Sequence, residues 1–413
     1  MSKLLLINVS GKNQLGMTNT VVDALSKLDV KLIDISQSVI HGRVTIVILI
    51  LMSRLNDSDS LRSQILTDLD YLDLQLGFTV LPDEYYQTWL DQQREPKSLV
   101  TLMASELTMA DLAAVNVMVV KQGLNIDNIR YLSEPLAAEE SQSQKPRGIE
   151  LSVLGKPESN EALKRALLEL AESHKIDVTY QEDNIYRRNR RLVVFDMDST
   201  LIDAEVIDEL AIEAGVGDQV AAITEAAMRG EVDFKQSFTQ RLALLKGLDA
   251  AVLETIAKRL RLNNGAKRLV QSLKKLGFKT AIISGGFGFF GRHLQTILGI
   301  DEVYANELDI VSGKVTGNVV GEIIDGQRKA EILREIVHQQ GLCLEQVVAV
   351  GDGANDLPML AIAGLGVAYH AKPLVRASAK QALSNIGLDG VLYLLGYTDR
   401  EINRLDVSFY SQK

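Results

Sequence analysis

The chain has 413 residues, 46% hydrophobic and 24% charged, with a formal net charge of −10. That composition suits a globular protein with sizeable cores and argues against a general binder of nucleic acid or anionic membrane. At ~100–200 residues per domain the length holds two or three domains.

The first segment, Leu4–Val9, is strand-like and leads into the turn Gly11–Gly16. Thr18–Leu28 has helical periodicity, with Val21, Val22, Leu25 and Leu28 on one face. Val30–Ile40 and Arg43–Met52 read as strands about the hairpin turn His41-Gly42. The apolar run Val44–Met52 is far short of the ~20 residues a membrane helix needs, so it predicts a core strand. Leu61–Leu74 reads as a helix and Gly77–Leu81 as a strand, which completes a βαββαβ order.

After a polar bridge at Asp91–Lys97 the order repeats. Leu99–Ala104, Ile126–Ser133, Gly148–Val153 and Ile176–Tyr180 are strands; Thr108–Gln122 and Asn160–Lys175 are helices. The insert Glu134–Arg147 is polar and reads as a loose hairpin tip. Arg187–Arg191, four arginines and one asparagine, reads as a solvated linker, because it lacks interleaved aromatics.

The richest stretch is Arg191–Glu205, RLVVFDMDSTLIDAE. Leu192–Phe195 is short and β-rich, as a buried strand requires. Asp196 and Asp198 follow, one residue apart. On an extended backbone their carboxylates share a face, at the strand end where open α/β sheets hold ligands. Paired carboxylates call for a proton or a cation, and Mg²⁺ suits oxygen ligands. Read alone, the same residues also fit an acidic turn capping the next helix through Ser199 or Thr200.

Helical patterns at Asp203–Gly215, Asp218–Gly230, Asp233–Leu245 and Ala250–Leu260 form an insertion, a helical cap over the sheet end. Phe278–Ile283 is the next strand, ending in Ser284-Gly285-Gly286. A helix at Phe289–Leu298, a strand at Val303–Asn306 and a hairpin across Leu308–Gly321 follow. Gln327–Gln340 is a helix beginning near Lys329. Val347–Val350 precedes Gly351-Asp352-Gly353-Ala354-Asn355-Asp356, and Gly366–Tyr369 is a further strand. Strands alternating with helices predict a parallel sheet covered on both faces.

Asp196/Asp198, Ser284-Gly285, Lys329 and Asp352-Asn355-Asp356 thus fall at strand or helix ends on one rim. Acids for a cation, with a hydroxyl, amides and an ammonium for phosphoryl oxygens, are what phosphoryl transfer requires. This combination resembles the haloacid dehalogenase superfamily over Leu192 to about Ala371. The helical insertion resembles that of its phosphoserine phosphatase family.

The resemblance implies a HAD-like Rossmannoid fold with Asp196 as nucleophile and Asp198 as general acid and base. Mg²⁺ would be held by the Asp196 carboxylate, the Asp198 carbonyl and Asp352, with Asp356 supporting its waters. Ser284, Gly285, Lys329 and Asn355 would bind phosphate. Glu205 would take the ammonium and Arg241 the carboxylate of O-phospho-L-serine, with Met228 and Phe234 as apolar wall. The residues by themselves do not distinguish Glu205 from Asp208, or Arg241 from Arg229. Another small-molecule phosphatase or phosphotransferase, or an amino-acid sensor with a vestigial phosphatase core, stays open.

The two βαββαβ units, preceding the core as α+β ferredoxin-like folds, resemble tandem ACT-type domains. That implies a regulatory amino acid or a dimerisation role, although Glu106-Leu107-Thr108 stands where the first unit has its glycine turn. The expected division is 1–90 and 98–183 for these units and 191–413 for the core, with the cap at about 204–262. If the units sense serine, deleting Met1–Arg187 is expected to abolish feedback inhibition while sparing the core. The five histidines show no metal-ligand spacing. A single cysteine, Cys343, and an N-terminus without a long apolar stretch predict a cytoplasmic protein. A homodimer is expected, without a nucleic-acid or membrane partner.

Overall fold

The computed structural model describes residues 3–52, 58–69, 73–134, 146–228 and 231–410. They divide into two compact units, Met1–Glu95 and Pro96–Lys413.

The first unit runs β1 (Lys3–Lys12), α1 (Met17–Ser26), β2 (Val30–Ile40), β3 (Arg43–Met52), α2 (Ser58–Leu69), β4 (Leu74–Leu81) and α3 (Asp83–Gln93). Its antiparallel sheet has the order β2-β3-β1-β4. Alternation along β1 sends Leu5, Ile7 and Val9 to the helix side, where they meet Ile46, Ile48 and Ile50 of β3 and Val21, Leu61 and Ile65. His41 and Gly42 both have positive φ, as a tight hairpin turn requires. Helix α3 ends at Gln93, so part of the expected polar bridge is helical. Its weak amphipathic pattern gave little signal.

The second unit opens with another βαββαβ: β5 (Lys97–Ala104), α4 (Met109–Lys121), β6 (Asn125–Tyr131), β7 (Arg147–Leu154), α5 (Asn160–His174) and β8 (Asp177–Glu182), in sheet order β6-β7-β5-β8. Thr108 caps α4 in a reciprocal box with Asp111. The insert tip, 135–145, lies outside the described residues.

The same unit continues with β9 (Leu192–Phe195), then α6 (Val206–Glu213), α7 (Gly217–Met228), α8 (Phe234–Leu244) and α9 (Val252–Arg259), four successive helices after the strand. Next come α10 (Ala266–Lys275), β10 (Lys279–Phe287), α11 (Gly288–Leu298), β11 (Glu302–Val311), β12 (Lys314–Val320) and α12 (Gly326–Gln339). The chain ends β13 (Val347–Gly351), α13 (Leu357–Ile362), β14 (Leu365–Tyr369), α14 (Pro373–Ser378), β15 (Gln381–Leu383), α15 (Val391–Leu394) and α16 (Asp399–Tyr410).

The seven-stranded sheet has the order β12-β11-β10-β9-β13-β14-β15, parallel except for the β11–β12 hairpin. In β9, Val193 and Phe195 enter one hydrophobic core while Leu192 and Val194 enter another, so both faces are covered. The strand order reverses at β9, whose neighbours are β10 and β13. Ligands of open α/β sheets bind at such a switch point.

The arginine run is not a solvated linker. Arg187 and Arg190 are 6% and 5% exposed. Arg187 pairs with Glu150 of β7 and donates to the Leu394 carbonyl, so these two arginines are packed inward while Arg188, Asn189 and Arg191 stay exposed. Charge alone misled here, because a guanidinium can be buried when carboxylate and carbonyl partners receive it.

Candidate active site

Strand β9 stops at Phe195 and the backbone turns over Asp196–Thr200. The expected strand alternation therefore does not bring the two carboxylates together; the turn does. Ser199 holds the left-handed φ of 55° within it. Asp196 Oδ1 accepts from the Met197 N–H at 2.7 Å, and Asp198 Oδ1 from the Val206 N–H at 3.3 Å.

Lys329, in the first turn of α12, is fully buried. Its Nζ lies 2.9 Å from Asp196 Oδ1 and 2.7 Å from Asp356 Oδ1. Burial alone would strip its proton, but the charges of Asp196 and Asp356 outweigh that and hold it protonated. Asp325 caps α12 through the Arg328 N–H at 2.9 Å and so sets where Lys329 emerges.

Asp196, Asp352 and Asp356 each offer an oxygen within 4.8 Å of the others. Burial and its neighbours' charges push Asp352 up to about 8. Burial and Asp196 push Asp356 up to about 7 against the pull of Lys329. Three crowded acids that resist ionisation are a donor set suited to a divalent cation. Asp198 is raised well above the usual carboxylate range by burial and then by Glu205 and Asp196, which favours its protonated form.

Ser284 is buried, and its Oγ accepts from the Gly286 N–H at 2.9 Å. A methyl group at Gly286 would overlap the Asp198 carboxylate, so glycine permits their close approach. Gly285 packs under Phe234, and Asn355 is half-buried beside Gly353.

From the same turn, Ser199 Oγ donates to Glu205 Oε1 at 2.8 Å. Glu205 still meets solvent; enclosure raises its carboxyl, Ser199 opposes that, and Asp196 and Asp208 raise it further. Arg241 Nη1 lies 3.5 Å from Thr224 Oγ1, while its buried Nε has no hydrogen-bond partner among the described residues. Burial lowers its pKa, and the charges of Glu205, Asp208 and Asp198 oppose that. Phe234 stacks on Phe238 with centroids 6.1 Å apart. The Met228 side chain and Arg229 lie outside the described residues.

Three polar residues join the site that the sequence did not single out for it. Thr200 Oγ1 donates to Asp352 Oδ1 at 3.0 Å. Asn263 Nδ2 donates to the carbonyls of Ser199, Thr200 and Ile202 at 3.1, 2.9 and 3.2 Å. Asn306 Nδ2 donates to Gly285 O at 2.8 Å, and its Oδ1 accepts from Ile324 N at 2.9 Å. Thr200 was legible as a motif neighbour; an isolated asparagine carries no such signal.

Residues 193–361 match the haloacid dehalogenase-like hydrolase family and residues 3–80 the ACT domain family. Curated relatives include the phosphoserine phosphatases of Streptomyces coelicolor and Mycobacterium tuberculosis. Both are 40% identical over 97% of this chain, covering 94% and 95% of their own lengths. A solved HAD family hydrolase from Salmonella enterica is similar at a TM-score of 0.61 and 31% identity, over 72% of this chain and 98% of its own. The catalytic region is that of a haloacid dehalogenase-like hydrolase. The chain belongs, within that class, to the phosphoserine phosphatase family, with an ACT domain at its N-terminal end.

Proposed function

We propose that the protein hydrolyses O-phospho-L-serine to L-serine and phosphate through an aspartyl-phosphate, as the last step of L-serine biosynthesis. An Asp196 oxygen attacks phosphorus as the bond to the serine oxygen breaks. Asp198 gives that oxygen its proton. Water then attacks the phosphoryl group, Asp198 takes the water's proton, and the bond to Asp196 breaks. Ser284, the Gly285 amide and Lys329 hold the phosphoryl oxygens, and Asn355 orients them. Asp196, the Asp198 carbonyl and Asp352 would hold Mg²⁺, with Asp356 behind them. The ion would supply charge neutralisation for the phosphoryl oxygens.

The supporting observation is the buried cluster itself: Lys329 bridging Asp196 and Asp356 beside Asp352. Substrate choice is supported by Arg241, whose unpartnered buried Nε offers a donor for a carboxylate. Glu205, near it in charge, would receive the ammonium. The reading includes a cytoplasmic homodimer divided at 1–90, 98–183 and 191–413, with its cap at 204–262. No helix among the described residues is long and apolar enough to cross a membrane.

Replacing Asp196 with Asn tests the mechanism: kcat should fall by at least about a thousandfold with the fold intact. Unchanged turnover would exclude the covalent route. Arg241→Ala should raise KM for phosphoserine by about a hundredfold while leaving phosphoethanolamine, which lacks the carboxylate, nearly unaffected. Equal losses on both would remove Arg241 as the carboxylate partner.

A further inference from the structure

A cavity of about 720 Å³ lies where the loop after β5, the catalytic turn and the ends of β14 and β15 meet. That volume is within the range of small-molecule pockets, about 300–1,000 Å³. Ser105 lines it from the second βαββαβ segment; Ser199, Asp203 and Asn263 line it from around the catalytic turn; His370 and Asn385 close the far wall. Ser105 immediately precedes Glu106-Leu107-Thr108, the stretch standing where the first segment has its glycine turn.

The lining decides what fits. Asp203 is an exposed carboxylate without an ion-pair partner among the described residues. The other polar groups are amides, hydroxyls and one imidazole, and among the described residues no lysine or arginine lines the cavity. A phosphorylated molecule would meet a carboxylate and, among the described residues, no fixed cation there, an unfavourable match. An ammonium group meets a carboxylate and neutral hydrogen-bonding partners.

The cavity also reaches the chemistry. Ser199 faces it and donates to Glu205, and Asn263 faces it and holds the Ser199, Thr200 and Ile202 carbonyls. An occupant that draws the Ser199 hydroxyl away releases Glu205, and one that moves Asn263 loosens the turn between Asp198 and Glu205. Such an occupant has differential contacts with two states of the site, as coupling demands.

We propose that this cavity binds a small ammonium-bearing ligand of the amino-acid or amino-alcohol class, and that occupancy alters turnover through Ser199 and Asn263. The effect on turnover rests on the phosphatase reading; the binding does not.

Calorimetric titration of the full chain with ethanolamine, L-serine and glycolate tests it. Ethanolamine and L-serine should bind and glycolate should not. Asp203→Asn, which is isosteric, and Ser105→Trp, which fills the cavity, should each weaken ethanolamine binding by at least about tenfold. Both variants should keep kcat/KM without ligand within about twofold of the parent and lose the change in kcat that ethanolamine causes in it. No binding to the parent, glycolate binding as tight as ethanolamine, or full binding retained in Asp203→Asn would overturn the site. Turnover of the parent unchanged at saturating ethanolamine would overturn the coupling. A chain that binds ethanolamine through Asp203 yet hydrolyses no phosphoserine would overturn the phosphatase reading alone.

Discussion

Lys329 is a buried ammonium in a site whose other charges are negative, and its ion pairs with Asp196 and Asp356 offset its lost hydration. Removing it leaves carboxylates facing one another, so Lys329→Met should lower both stability and activity. Asn263→Ala separates positioning from chemistry. It deletes three hydrogen bonds to the turn and should destabilise the protein by about 1–3 kcal/mol. If Asn263 only positions, kcat falls while the pH profile keeps its limbs; displaced limbs would place Asn263 in the proton transfers. The acids also predict a pH dependence. Asp356 and Asp352 carry folded pKa values of about 7 and about 8, above the unfolded carboxyl value of 3.8. The folded chain therefore binds more protons between those limits, and its stability falls as pH rises through them. A cation favours the ionised acids, so Mg²⁺ should raise Tm more at pH 8 than at pH 5, by thermal melts of metal-stripped protein. An equal rise at both would argue against these acids as ligands.

At the scale of elements, helix α8 is tied to the sheet through aromatic packing. Phe234 and Phe238 on α8 stack on each other, and Phe238 meets Phe287 at the end of β10 with centroids 5.9 Å apart. Phe238→Ala should destabilise the protein by about 3–5 kcal/mol, read from denaturant unfolding, and lower kcat/KM as α8 loses its seat. The exposed Lys235–Asp325 pair, 3.0 Å apart, also links α8 to the start of α12. Its loss should change stability little, read from denaturant unfolding, because solvent screens such pairs. The four successive helices after β9 were legible from their periodicity. Helix α10 was not singled out, and Ser284-Gly285-Gly286 belong to β10 rather than ending it. The register with β11 shifts between Ile283 and Phe287, and glycines weaken a strand pattern at such an irregularity.

The second βαββαβ segment and the catalytic core form one compact unit. Asp177 of β8 accepts from the N–H groups of Ser384, Asn385 and Ile386 at 2.8, 2.9 and 3.2 Å. Gln181 donates to the Leu394 carbonyl at 2.9 Å, and Arg187 lies buried between Glu150 and that same carbonyl. The expectation that deleting Met1–Arg187 spares the core therefore changes. A chain beginning at Pro96 should keep kcat within about twofold and unfold cooperatively, whereas one beginning at Arg188 should aggregate or melt early. The sequence by itself determined the two βαββαβ orders, the successive helices after β9 and the catalytic candidates. Periodicity and local motifs carry that information over short spans of chain. Only the tertiary structure decided that Arg187 and Arg190 are buried, that Asn263 and Asn306 brace the catalytic loops, and that Ser105 shares a cavity with Ser199. Those facts depend on pairs of residues far apart in the chain, whose meeting is set by how whole elements pack and leaves no local pattern to read.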